Sequence, residues 1–99
     1  GYEVSDITGR YFVLNQGSEI DNTIANPCII YLNEDGTTLS KENNGSFSVK
    51  ENSNYMSINI DGTEYKGVFV KMKDEAGVDV MTFSAVGNNQ TVWGVKYLQ

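Results

Sequence analysis

Along this 99-residue chain apolar residues alternate with polar ones in short runs, and nowhere do they recur at the i, i+3, i+4, i+7 spacing of a helix. The runs are GRYFVLN, CIIYL, TTLSKE, GSFSVKE, YMSINI, TEYKGVFVKMK, VDVMTFSAV and TVWGVKYL, one about every ten residues. Between them lie NEDG, NN, NSN, DG, DEAG and GNNQ, whose residues tolerate positive φ or bond back to their own backbone. The pattern predicts an all-β chain. Turns this short join only antiparallel neighbours, and a meander of about eight strands removes its open edges best by closing on itself. The expected fold is a small closed antiparallel β-barrel of the up-and-down kind, one domain over residues 1–99. Asp61-Gly62 is the sharpest hairpin signal. The longer connection GSEIDNTIANP ends at Pro27, where a strand is expected to begin and no ladder donor is needed. Tyr2 to Thr8 reads either as a linker or as a strap across the barrel.

Strict alternation of side chains sorts each run into two faces. The bulkier sets are Met56, Ile58 and Ile60; Val68, Val70 and Met72; Met81, Phe83 and Ala85; and Trp93, Val95 and Tyr97. With Phe47, Val49, Leu39, Ile30 and Leu32 they predict a crowded interior. An eight-stranded barrel is just wide enough to be filled by its own side chains or to hold one small ligand. Here filling is expected, with Trp93 in the core and its indole N–H on a buried acceptor or a water at the barrel mouth.

The same parity sends Tyr55, Tyr65 and Phe69 outward. Equal-offset counting across Asp61-Gly62 pairs residue 58 with 65 and sets Tyr55 opposite 68, one residue from Phe69, within diagonal reach. The three rings can form a patch with Gly67 as its floor. Sugars stack their C–H faces on such rings while hydroxyls bond to polar side chains, here Ser57, Asn59, Lys66 and Lys71. The rival expectation is that an exposed apolar patch is the contact face of a neighbouring domain.

A net charge of −6 repels phosphate backbones and anionic lipid, so neither nucleic acid nor membrane is an expected partner. The absence of histidine removes the usual general base and zinc ligand, and one cysteine, Cys28 in an apolar run, allows no internal disulfide. No apolar run reaches the ~18 residues of a membrane span, and nothing at the start reads as a signal peptide. The opening GYEV, without methionine, leads us to expect a segment of a longer processed protein. Carboxylates are the only catalytic groups in supply: Glu34-Asp35, Asp61, Asp74-Glu75 and Asp79. A glycosidase needs two across one sheltered bond, one with a raised pKa, whereas these stand in turn sequences. NEDG and DEAG lack the D-x-D-x-D spacing that wraps calcium. No catalytic residue, metal site or cofactor is expected. Asn44-Gly45-Ser46 and Asn89-Gln90-Thr91 match glycosylation sequons but read as turns.

The stretches DGTEYKGVFVK (Asp61 to Lys71) and MTFSAVGNNQTVWGVK (Met81 to Lys96), preceded by YLNEDGT (Tyr31 to Thr37), resemble the C-terminal β-barrel domain of family 43 glycoside hydrolases, notably bacterial endo-arabinanases. Tyr65, Gly67, Val68, Phe69 and Lys71 match the family's Y-x-G-V-F-(L/V)-K. Thr82, Phe83, Ser84, Ala85, Val92, Trp93, Gly94 and Lys96 match T-F-(S/T)-A, a short turn and V-W-G-x-K. The chain departs from the family at Gly45-Ser46-Phe47, where Gly-x-Trp is usual, and at Met72-Lys73, where Gln-Trp is usual. The resemblance implies a secreted bacterial enzyme degrading plant polysaccharide, its chemistry performed by a five-bladed propeller absent from this chain.

The first functional expectation is a non-catalytic, extracellular accessory domain that binds plant cell-wall polysaccharide, arabinan or a xylan-type chain, and concentrates an attached hydrolase on it. The domain is expected to be a monomer, with the catalytic domain of the same parent chain as its other partner. The second expectation is a structural domain packed on the propeller without holding sugar. A third, a carrier of a small apolar molecule, needs an empty barrel and is disfavoured by the crowded interior.

Overall fold

The computed structural model describes residues 2–16, 24–39, 44–60 and 62–98. A single helical turn, α1 (Val4–Ile7), precedes eight strands: β1 (Gly9–Gln16), β2 (Ile24–Leu32), β3 (Thr37–Leu39), β4 (Asn44–Val49), β5 (Tyr55–Ile60), β6 (Thr63–Lys73), β7 (Asp79–Gly87) and β8 (Gln90–Tyr97). Each strand pairs antiparallel with the next, and β1 pairs with β8 from Phe12↔Val95 to Gln16↔Thr91, so the sheet closes in sequence order. The β7–β8 hairpin turns on Asn88 and Asn89, with φ of 49° and 59°, the two-residue arrangement whose twist matches the flanking strands. Across the β5–β6 turn the equal-offset register holds: Ile60 faces Thr63, Ile58 faces Tyr65 and Tyr55 faces Val68. Asp61 itself lies outside the described residues.

Pro27 is not where its strand begins. β2 starts ahead of it at Ile24, and the register against β1 jumps from Val13↔Cys28 to Asn15↔Ala25. Asn26 and Pro27 therefore fall in a bulge, a second kind of position where a missing N–H costs no ladder bond.

Met56, Ile58 and Ile60 of β5, Met81, Phe83 and Ala85 of β7, and Ile30, Leu32, Phe47 and Val49 all belong to the core or pack against it. The side chain of Leu39 is outside the described set. On β6 and β8 the faces are the reverse of those expected. Tyr65 and Phe69 point inward, 3% and 0% exposed, whereas Trp93 points outward at 39%. Val68, Val70 and Met72 lie on the outer face of β6, and Val95 and Tyr97 on that of β8.

The reason is close approach. A Cβ on Gly94 would stand 2.2 Å from the ring of Phe83, its cross-strand neighbour, and one on Gly67 would stand 1.7 Å from the Ser84 carbonyl oxygen. The inner face needs glycine at both positions, one so that a ring can lie over the backbone and the other so that two strands can close up. That space is used by Tyr11, Phe69 and Phe83, whose ring centroids are 5.3 to 6.4 Å apart in tilted and edge-on contacts. Burying each ring stabilises the fold by roughly 1.5–3 kcal/mol. An indole directed inward would have to displace them.

Residues 2–8 lie over one mouth of the barrel. Ile7 is buried in the core, and its carbonyl accepts the Tyr11 hydroxyl at 2.6 Å. Lys96, on the inner face of β8, donates from Nζ to the carbonyls of Ser5, Asp6 and Thr8, a cation placed on the carbonyl end of α1. On the adjoining side Asp6 pairs with Lys71 at 3.1 Å, and the Lys71 N–H donates to the Tyr2 hydroxyl at 3.0 Å. Burial pulls Lys96 below the usual lysine range, with Asp6 opposing. Burial, reinforced by Asp6, pushes the Tyr11 phenol up.

Candidate functional site

The outer wall divides into a polar and an apolar part. On the polar side β5 directs Ser57 and Asn59 outward, Ser57 opposite Ser48 and Lys66, and Asn59 opposite Ser46 and Glu64. Ser57 Oγ donates to Glu64 Oε1 at 2.6 Å. Ser46, Phe47, Ser48, Ser57, Asn59 and Glu64 border a shallow trough of about 210 Å³. Tyr55, exposed, stands at the end of the same strand.

Tyr55, Ser57, Asn59 and Lys66 thus share one stretch of wall, but the rest of the expected sugar strip is not with them. Phe69 is fully enclosed, and Tyr65 turns inward to donate its hydroxyl to Gln90 Oε1 at 3.2 Å. No three-ring patch forms, and Gly67 is not its floor. Lys71 leaves the wall altogether for the covered mouth, where it pairs with Asp6.

The apolar side is built by register. Ile29, Phe12, Val95, Thr82 and Val70 face one another in a single row across β2, β1, β8, β7 and β6. Directly opposed residues share a face, so the row is continuous. A second row runs Trp93, Ser84, Val68, Tyr55. On the other flank Tyr97 and Met72 stand on either side of Val80, which is only 2% exposed although it points outward. Phe12, Ile29, Tyr31, Val70, Met72, Val86, Trp93 and Tyr97 are all exposed. Arg10, the chain's single arginine, lies opposite Tyr31 and lines an open groove with Phe12 and Tyr97 where β1 and β8 part. Side-chain size alone conceals this wall, because it consigns Trp93, Val70 and Met72 to the interior.

The acids behave as turn builders. Asp35 accepts from the hydroxyl and N–H of Thr37, which hold its carboxyl below the usual range, and Lys73 does the same for Asp79. Asp74 Oδ1 accepts from the N–H groups of Ala76 and Val78, both at 2.9 Å. Among the described residues, no three His, Cys, Asp or Glu side chains come together to hold a metal ion.

The GH43_C model, described as a C-terminal lipocalin-like domain, matches residues 1–94. The chain belongs to that family. The extracellular endo-α-(1→5)-L-arabinanase 2 of Bacillus subtilis (strain 168) is 36% identical over 93 residues, which is 92% of this chain and 19% of that protein. Among solved structures, the glycoside hydrolase family 43 YxiA protein from Bacillus licheniformis superposes with a TM-score of 0.83 at 29% identity, covering 99% of this chain and 22% of that one. An endo-1,5-α-L-arabinanase from Thermotoga petrophila RKU-1 gives 0.80 at 31% identity, covering 97% and 22%. The GH43_C domain described here therefore spans about a fifth of the length of these relatives. Among the described residues, the rings of Tyr11, Phe69 and Phe83 pack together inside this lipocalin-like barrel.

Proposed function

We propose that this domain is a non-catalytic accessory domain of a secreted bacterial family 43 glycoside hydrolase acting on plant cell-wall polysaccharide of the arabinan type, and that it packs through the outer wall of β2, β1, β8, β7 and β6 on the catalytic domain of the same parent chain. The observation that carries this reading is the continuous row Ile29, Phe12, Val95, Thr82, Val70, flanked by Trp93, Met72 and Tyr97. Exposed aromatics and methionine beside an arginine are the composition of an interface centre, and a mixed aliphatic surface suits protein better than sugar. The family supplies the occupant, since its members named above are four to five times the length of this chain. Non-catalysis is supported by Asp35 and Asp79, which are held below the usual carboxylate range, whereas a glycosidase needs an acid held above it.

The test is binding of this domain, as a separate chain, to the catalytic part of its parent enzyme. Phe12→Ser combined with Trp93→Gln should weaken association at least tenfold while the barrel stays folded. Unchanged association would refute the docking.

One observation favours a second reading, glycan held on the polar part of the wall: Ser57 and Asn59 border one trough, with Lys66 opposite Ser57 and Tyr55 at the end of the same strand. Affinity electrophoresis in arabinan, arabinoxylan and xylan would retard the domain under this reading, and Tyr55→Ala would restore its mobility.

A further inference from the structure

We infer that the covered mouth of the barrel holds a second, independent ligand site, an end-on cleft for a single unit of a neutral sugar chain. It requires neither docking of the outer wall nor glycan in the trough. The cleft is about 400 Å³ and open to solvent, a size within the usual range of small-molecule sites. Its walls are Tyr2 and Ile7 on one side and Phe47 and Val49 on the other, with Glu34 and Glu51 from two turns at the rim.

The position follows from how residues 2–8 are fastened. Lys96 and Lys71 tie them to β8 and β6, and Tyr11 ties Ile7 to β1. These ties all lie on one side, so the cover leaves the mouth open toward β4 and the turns that precede β3 and β5. The barrel below is closed by Tyr11, Phe69 and Phe83, so a ligand can enter no deeper than the rim.

The walls are set before any ligand arrives. Lys50 N–H donates to the Tyr55 carbonyl at 2.8 Å, both N–H and Oγ of Ser53 donate to the Lys50 carbonyl, and Phe47 N–H donates to the Gly36 carbonyl at 2.9 Å. Tyr2 is held by its hydroxyl and by Lys71 Nζ, 5.5 Å from the ring centroid. Little ordering entropy remains to oppose binding.

The chemistry selects the ligand class. Apolar walls that include the aromatic residues Tyr2 and Phe47 take the C–H face of a sugar, while rim carboxylates and the Ser53 hydroxyl take its O–H groups. Two carboxylates against one ammonium, that of Lys50, disfavour an anionic sugar, so a uronic acid should be refused.

The experiment is titration of the ¹⁵N-labelled domain with linear α-1,5-arabinotriose and, separately, with trigalacturonate, followed by amide shifts. The expected result is saturable movement of residues 34–36 and 47–53 and of Tyr2 to Thr8, with the uronate bound at least about fivefold more weakly. Tyr2→Ala should abolish binding. Tyr2→Phe, which keeps the ring and loses only the bond to Lys71, should retain it within about twofold. Equal loss in both variants would show that the cover, not the ring, matters and would overturn the stacking role. Shifts confined to Ser57, Asn59 and Lys66, or none at all, would overturn the cleft. Docking and trough binding are read by other variants, so each reading fails separately.

Discussion

The two faces of β6 and β8 are built differently. Inside, Tyr65, Gly67 and Phe69 on one strand and Val92, Gly94 and Lys96 on the other alternate large with absent side chains, and each gap is occupied by a named group of the same chain. Outside, Val68, Val70 and Met72 and Trp93, Val95 and Tyr97 are more evenly hydrophobic, yet several of them are exposed. The contrast teaches that hydrophobic content does not locate the core of a small barrel. Complementarity does, and the uniform face is the one whose side chains are left exposed.

The inner face should respond most. Gly94→Ala places a methyl where the Phe83 ring lies, and we expect a loss of about 3 kcal/mol in chemical denaturation, from overpacking. A loss below about 0.5 kcal/mol would mean that the ring moves aside freely and that the inner match is loose. Next comes Tyr11→Phe, which leaves the Ile7 carbonyl without its donor at a cost of about 1–2 kcal/mol. Its pH dependence sharpens the point. The folded pKa of Tyr11 is raised above the ordinary 10.0, so its contribution is complete below pH 10 and is lost as the pH climbs past it. Stability measured from neutral to alkaline pH should fall less steeply in the variant than in the parent.

The outer face should respond least. Val70→Thr with Met72→Gln is expected to change stability by no more than about 0.5 kcal/mol, measured the same way. Because Trp93 is the sole tryptophan and lies outward, iodide should quench the domain's indole emission readily. A shielded emission from the isolated domain would reverse the comparison.

Much of this was legible in the residues. Alternation and short Asn- and Gly-rich turns are local signals, and they mark the strands and the closed antiparallel barrel; the motifs around Phe69, Phe83 and Trp93 mark the family. Faces are a less local matter. On β6, side-chain size and register point opposite ways: Val68, Val70 and Met72 outweigh Tyr65, Gly67 and Phe69 as a run, but Ile58 directly opposes Tyr65, and opposed residues share a face. Register wins because a one-residue slip would turn the whole strand over. On β8 the same register cue exists, since Phe83 opposes Gly94 and Ala85 opposes Val92 across the Asn88-Asn89 turn, but the size of Trp93 outweighs it. Gly94 and Lys96 look like outer residues until Phe83 is seen over the one and the carbonyls of residues 5, 6 and 8 around the other. The mouth cleft was illegible for a similar reason: Tyr2 is brought to Phe47 by lysines far along the chain.

The fastening of residues 2–8 also determines how the domain carries tension. A pull at Tyr2 reaches β6 through Lys71 and β8 through Lys96, the two strands that flank β7, rather than peeling β1 away from its neighbours one bond at a time. The load is shared around the circumference of the cylinder. Under a pull at this end, release of these few side-chain ties is expected before any loss of pairing in the barrel wall.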